Sequence, residues 1–107
     1  MYISRSDISM IDTDYFSIVE ATPFYIVLES KNTGHSWHLL HTEANGHVSY
    51  RISHRHHTQD PFHPQTSAPG ISAACDYIKR HDAFHLLRQK KKAEKRLKRL
   101  SGLQGQP

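Results

Sequence analysis

The sequence predicts an α+β domain: a three- to four-stranded antiparallel meander packed by one helix, with a basic helical extension at the C-terminal end. Two turn signals, one helical stripe and a division of charge carry that prediction. Asn32-Thr33-Gly34 and Asn45-Gly46 separate segments rich in aromatic and β-branched residues, the pattern of successive hairpins. Ile71, Ala74, Cys75 and Ile78 recur at helical spacing and form one apolar face. Residues 1–78 hold four Lys/Arg against eight Asp/Glu, whereas residues 79–107 hold ten against two.

Residues 1–14 alternate Ile with Ser and Asp without a clear period and are expected as a loosely attached N-terminal arm. Residues 15–88 form the α+β domain. Its first strand is read over 15–20, ended near Pro23, and its second over 24–30. A three-residue loop with Gly34 at a positive-φ position leads to a third strand over 35–42. The Asn45-Gly46 turn returns the chain as a fourth strand over 48–54. That turn sets Leu39 opposite Ile52, Trp37 opposite His54 and His41 opposite Tyr50. The first turn, taken as three residues, sets Lys31 opposite His35 and therefore Val27 opposite Leu39 and Tyr25 opposite His41. Trp37, Leu39 and His41 then share a face with Tyr25, Val27, Tyr50 and Ile52. Phe24, Ile26, Leu28, His38, Leu40 and Arg51 fall on the reverse face, and His38, Ser49, Arg51 and Ser53 are its exposed polar positions.

Residues 55–70 contain three prolines and read as a loop. A helix is expected to begin between Ser67 and Ile71, capped by Ser67 or Ser72, with Phe84 and Leu87 extending its contact with the sheet. Residues 89–107 are the basic tail, and Ser101-Gly102 is the expected end of its helix.

At 107 residues the chain has room for one domain and a tail. A lone cysteine, Cys75, excludes an internal disulfide and a multi-cysteine zinc site. The sequence has no apolar stretch near the roughly 20 residues of a membrane span and no basic-then-apolar leader pattern at its start, so a cytoplasmic protein is expected.

Between residues 88 and 99 stand eight cations: Arg88, Lys90, Lys91, Lys92, Lys95, Arg96, Lys98 and Arg99. Cations at helical spacing suit a phosphate backbone, because each neutralised phosphate releases counterions. With Arg51 and Arg55 they form the expected nucleic-acid-binding set; an acidic protein surface is the other partner class this charge fits. The competing reading of a terminal charge run is a solvated tail that binds nothing in particular.

Ten histidines are present. His54, His56 and His57 cluster at a strand end, with His63 in the following loop, and are candidate ligands for zinc or another borderline metal. Against this stands the reading of histidine as a half-buried polar contact; no cofactor is assigned beyond zinc as a candidate. His81 and His85, at i and i+4, resemble the His-Glu-x-x-His helix of metalloproteases with Asp82 in place of Glu, a shorter side chain less able to reach a metal-bound water. His54-Arg55-His56 with Tyr77 resembles the His-hydrophobic-His endonucleases, in which two histidines hold a metal and a tyrosine attacks phosphate. The sequence departs from that pattern in having Arg55 at the hydrophobic position, on a strand expected at a sheet edge.

A broader resemblance spans residues 15–88. Ser17-Ile-Val-Glu-Ala-Thr-Pro-Phe-Tyr-Ile-Val-Leu-Glu-Ser-Lys-Asn-Thr-Gly-His-Ser-Trp-His and Tyr77-Ile-Lys-Arg-His-Asp-Ala-Phe-His resemble small uncharacterised proteins encoded on integrative and conjugative elements of gut Firmicutes. That setting implies DNA-processing accessories, regulators or inhibitors of host defence. The leading expectation is a non-enzymatic nucleic-acid-binding accessory protein. The alternatives are an anti-CRISPR-like inhibitor docking on a nucleic-acid enzyme, and a metal-dependent nuclease using the histidines. Nothing in the sequence indicates a small-molecule substrate or a membrane partner.

Overall fold

The computed structural model describes residues 2–104. In chain order the elements are α1 (Arg5–Ser9), β1 (Phe16–Ala21), β2 (Tyr25–Ser30), β3 (Ser36–Ala44), β4 (His47–Arg55), β5 (His63–Ala68) and α2 (Ile71–Gln104). The strands form one antiparallel sheet in the order β1-β2-β3-β4-β5, and α2 packs across one face of it. The α+β class is as the sequence predicts, with a fifth strand added.

That strand, β5, lies inside the segment read as a loop. It pairs with β4 from Tyr50–Ala68 to His54–His63, with an irregularity between Ile52 and Ser53. Only Ala68 of its six residues is buried, so it carries no hydrophobic alternation. Pro64 is tolerated because an edge strand has an unpaired side. One consequence is that β4 is an interior strand, not the edge strand expected from the sequence.

The Asn45-Gly46 hairpin forms as predicted, with Asn45 at φ 52° and Gly46 at φ 76°, the two positive values a type I′ turn requires. Its register places Leu39 opposite Ile52 and Trp37 opposite His54. Trp37, Leu39 and Ile52 are fully buried. The β2–β3 register differs from expectation by one residue. The loop has four residues, 31–34: Ser30 N donates to His35 O (2.9 Å), and Gly34, at φ 74°, donates to Ser30 O (2.8 Å). Leu28 therefore opposes Trp37, and Ile26 opposes Leu39. Because side chains alternate along a strand, the slip moves Ile26 and Leu28 to the inner face and Tyr25 and Val27 to the outer one.

The inner face is thus Phe16, Ile26, Leu28, Trp37, Leu39, Tyr50 and Ile52, covered by Ile71, Ala74, Cys75 and Ile78 of α2. Gly70 O accepts from Ala74 N (3.0 Å), so α2 starts from Gly70; Ser67 is in β5 and does not cap it. Phe84 and Leu87 do not extend the contact, being 61% and 49% exposed. The sheet-facing stripe continues instead through His81, Asp82 and His85.

Residues 2–14 are not a free arm. Ile3 and Ile11 belong to the core, and Ile3 N donates to Pro23 O (2.8 Å). Between them Ser4 and Asp7 form a reciprocal capping box on α1, a pattern legible in Ser4-Arg-Ser-Asp7. On the outer face, His38 stacks on Tyr25 at 4.9 Å, and Phe62 lies beside His38 and under the Arg55 guanidinium (4.1 Å).

The observed register makes a direct prediction. Ile26→Ala should lower unfolding free energy in urea by about 2–5 kcal/mol, as for other buried Ile truncations, and Tyr25→Ala by clearly less. The reverse ranking would return β2 to the three-residue-loop register.

Candidate functional site

The direction of α2 builds the site. It starts beside Ala68 and Tyr50 at one end of the sheet and reaches the other end, near the β2–β3 loop, at His81–His85. There the inner-face positions that follow the apolar rows are His35, adjoining β3, and His54 at the end of β4. His56 extends the same side beyond β4, and α2 supplies His81 and His85. Five imidazoles gather where the helix leaves the sheet.

Their spacing is close. His54 Nε2 and His35 Nδ1 lie 3.0 Å apart in a hydrogen bond. Ring centroids are 4.1 Å apart for His35–His56, 4.9 Å for His54–His56, 4.5 Å for His35–His85 and 4.9 Å for His54–His81. Trp37 floors the group, stacked on His54 at 4.1 Å. His35 and His54 are buried, and one ligating nitrogen from each of His35, His54 and His56 lies within 4.8 Å of the others.

Burial favours the neutral form of three of the rings, His35, His54 and His81. It pushes His54 down to about 3, helped by the like charge that His35 and His81 would carry. His35 is pushed down to about 4 by burial, then by His56 and His85. His81 is lowered as well, again chiefly by burial. Opposing this, the Asp82 carboxylate favours the charged forms of His35 and His81. Asp82 is fully buried and accepts from the Tyr15 hydroxyl (2.6 Å) and from Thr33 Oγ1 (3.3 Å). Burial, then the bond to Asp82, pushes the Tyr15 phenol up to about 12. Among the described residues, His81 Nδ1 and Trp37 Nε1 are buried without a hydrogen-bond partner.

Of the metal candidates read from sequence, the structure brings His54 and His56 together and leaves His57 and His63 outside the cluster. His63 pairs with His54 in the sheet, and all four candidates, with Arg55, Asp60 and Gln65, line an open surface cleft of about 390 Å³. His35 and His85 are what sequence reasoning missed as partners. The i, i+4 pair His81/His85 was visible, but its neighbours come from β3 and β4. Tyr77, of the nuclease-like pattern, has its ring 6.3 Å from that of Trp37 and 6.2 Å from that of His81.

The basic set divides. Arg51 is exposed on the outer face of the sheet, and Arg55 stacks on Phe62 with its Nε buried. All eight cations from Arg88 to Arg99 are exposed on α2, which runs unbroken past the end expected at Ser101-Gly102. Residues 105–107 of the predicted tail lie outside the described residues. At 100° per residue, every one of these cations except Lys90 falls within an arc of about 160°. Lys92, Lys95, Arg96 and Arg99 line a shallow concavity on that arc. Leu86, Ala93, Leu97 and Leu100 occupy a narrow strip on the opposite side.

Fold and site together define a class: a five-stranded antiparallel meander crossed by one long helix, with histidines at the point of departure and cations beyond it. No family model, curated protein or solved structure matches the chain. No helix among the described residues is long and apolar enough to cross a membrane.

Two outcomes are expected here. His35 and His54 take up protons only near pH 4 and 3 when folded, but near 6.5 when unfolded. Between those values the unfolded state binds more protons, so stability is full above about pH 6.5 and falls as pH drops below it. In the presence of chelator, the urea midpoint should fall between about pH 7 and 5, and His54→Gln should flatten that limb. An unchanged limb would show that His54 titrates normally. Asp82→Ala should cost about 1–3 kcal/mol by removing the acceptor of the Tyr15 and Thr33 hydroxyls, Tyr15 keeping only the bond it accepts from Asn32 Nδ2 (3.2 Å). Tyr15→Phe added to it should cost little more; full additivity would deny the coupling.

Proposed function

We propose that this protein binds nucleic acid through the projecting half of α2, which lays its cationic arc along a phosphate backbone while the sheet anchors the helix root. The observation that carries this reading is the one-sided arrangement of exposed cations on a helix extending past its own domain. A 34-residue helix is about 50 Å long. The molecule measures 70 × 26 × 25 Å, so its length comes from the helix. Cations gathered on one side can reach neighbouring phosphates together, whereas cations spread around a helix would face them in part only. Grip of this kind reads charge and spacing, not base sequence. Arg51 and His38, on the outer face of the sheet, are the positions from which sequence preference would come.

Affinity for duplex and single-stranded DNA and RNA should fall steeply with salt, with a log–log slope near −0.9 per phosphate contacted on duplex DNA. Removing residues 89–107 should weaken binding and flatten the slope while leaving thermal unfolding of the domain in place. Lys92→Glu with Arg99→Glu should weaken binding far more than Lys90→Glu, which reverses a charge on the opposite side. Equal effects would remove the role of the arc. No binding by the intact chain at about 50 mM salt would remove the nucleic-acid reading. A tight complex with a nucleic-acid enzyme that survives tail removal would favour the inhibitor alternative.

A further inference from the structure

The structure assigns a second site, of a different kind from the cationic helix: we infer that His35, His54 and His56 bind a zinc-class divalent cation, with His85 of α2 as the fourth ligand. Geometry carries this. A tetrahedral zinc with Zn–N bonds of about 2.0–2.1 Å holds its nitrogens roughly 3.4 Å apart. His35 Nδ1 and His54 Nε2 stand at 3.0 Å, and one ring nitrogen from each of His35, His54 and His56 falls within 4.8 Å of the other two. Small side-chain rotations of His56, which is exposed, close that difference. Among the α2 histidines, His85 is the one adjacent to two of the three, at 4.5 Å from His35 and 5.5 Å from His56 between ring centroids. His81 makes its ring contact among the three with His54, edge-on at 4.9 Å.

Ligand chemistry selects the metal. Four imidazoles without a carboxylate suit Zn²⁺, Co²⁺, Ni²⁺ or Cu²⁺ and disfavour Mg²⁺ and Ca²⁺, which require oxygen donors. Binding needs both nitrogens of the His35–His54 contact to present lone pairs. The N–H now lying between them must move to the other nitrogen of its own ring, a tautomer change that releases no net proton from neutral imidazoles. Asp82 adds a buried carboxylate next to His81, a counter-charge beside a cation at this position. Trp37 closes the floor against water. The ion would tie the strand ends bearing His35 and His54 to α2 at the turn where the helix leaves the sheet, and so fix the direction in which the cationic arc projects.

The site is tested on the intact chain after chelator treatment, with ZnCl₂, CoCl₂ and MgCl₂ as probes. One equivalent of Zn²⁺ should bind in equilibrium dialysis near pH 7.5 and raise the melting temperature, and Mg²⁺ should do neither. Co²⁺ should give the intense visible absorption of a tetrahedral site. His56→Ala, at an exposed position where folding is not at stake, should weaken Zn²⁺ binding by more than the roughly 10–100-fold expected of an outer-shell residue. His85→Ala should also weaken it and shift the Co²⁺ spectrum. His57→Ala and His63→Ala should change nothing. Failure of the intact protein to bind Zn²⁺ would overturn the site. So would binding that survives His56→Ala but is lost with His57→Ala or His63→Ala. An unchanged Co²⁺ spectrum in His85→Ala would overturn the fourth ligand. Because the readouts are metal binding and spectra, they stand or fall separately from nucleic-acid affinity.

Discussion

Ile71, Ala74, Cys75 and Ile78 lie against the inner face of the sheet, and their contact sets where every other group on α2 comes to rest. Two of the four side chains are small, which lets the helix axis sit low over large side chains such as Trp37, Leu39 and Ile52. A helix so seated turns the same side toward the sheet at each later i+3 and i+4 step. Two turns past Ala74 and Cys75, that side holds His81, Asp82 and His85 in place of further aliphatic residues. Geometry obliges these groups to face the sheet end whether or not burial suits them. The exposed Phe84 and Leu87 are the same rotation seen from the other side.

Burying polar groups is unfavourable unless they are paired. Asp82 meets that requirement through Tyr15 and Thr33, which ties the helix to the beginning of β1 and to the β2–β3 loop. The histidines meet it less well. His35 and His54 satisfy each other through one hydrogen bond, while His81 keeps a buried nitrogen without a partner. Aliphatic side chains at these positions would extend the core with no such cost. A run of core-facing positions that abandons hydrophobicity in favour of polar, nitrogen-bearing rings is the kind of local conflict that function imposes on a fold.

How much of this was legible in the sequence depended on the range of the interaction. Asn45-Gly46 determines its hairpin through the two residues of the turn itself, so the pairing of Leu39 with Ile52 could be read directly. The loop before β3 offered Gly34 as a left-handed position but did not reveal whether three or four residues preceded the next pair. That single residue reverses the faces of Ile26 and Tyr25. β5 carries no apolar alternation because it pairs through its backbone at the sheet edge with its side chains in solvent. α1 did leave a local mark, the Ser4/Asp7 box, in a stretch too short for helical periodicity. For the site, His54 and His56 were evident from their adjacency. His35, nineteen residues from His54, and His85, on the far helix, join them only through the register of β3 on β4 and the rotation of α2.

The projecting half of α2 is poorly explained by its own stability. Arg88–Lys92, Lys91–Lys95, Lys92–Arg96 and Lys95–Arg99 are like-charged neighbours at i, i+4, each unfavourable by a few tenths of a kcal/mol. Against them, Lys90–Glu94 and Glu94–Lys98 are the opposing pairs in that stretch, and Leu97 and Leu100 are exposed. Continuity with the anchored turns supplies the nucleus that an isolated basic helix would lack. A polyanion along the cationic arc would relieve repulsion that water and salt relieve only in part, and the gain would be greatest where the like charges are most crowded. The asymmetry of the chain then has one physical sense. An acidic-to-neutral body, seated by its apolar stripe, holds in place a charged element that could not hold its own shape as well alone.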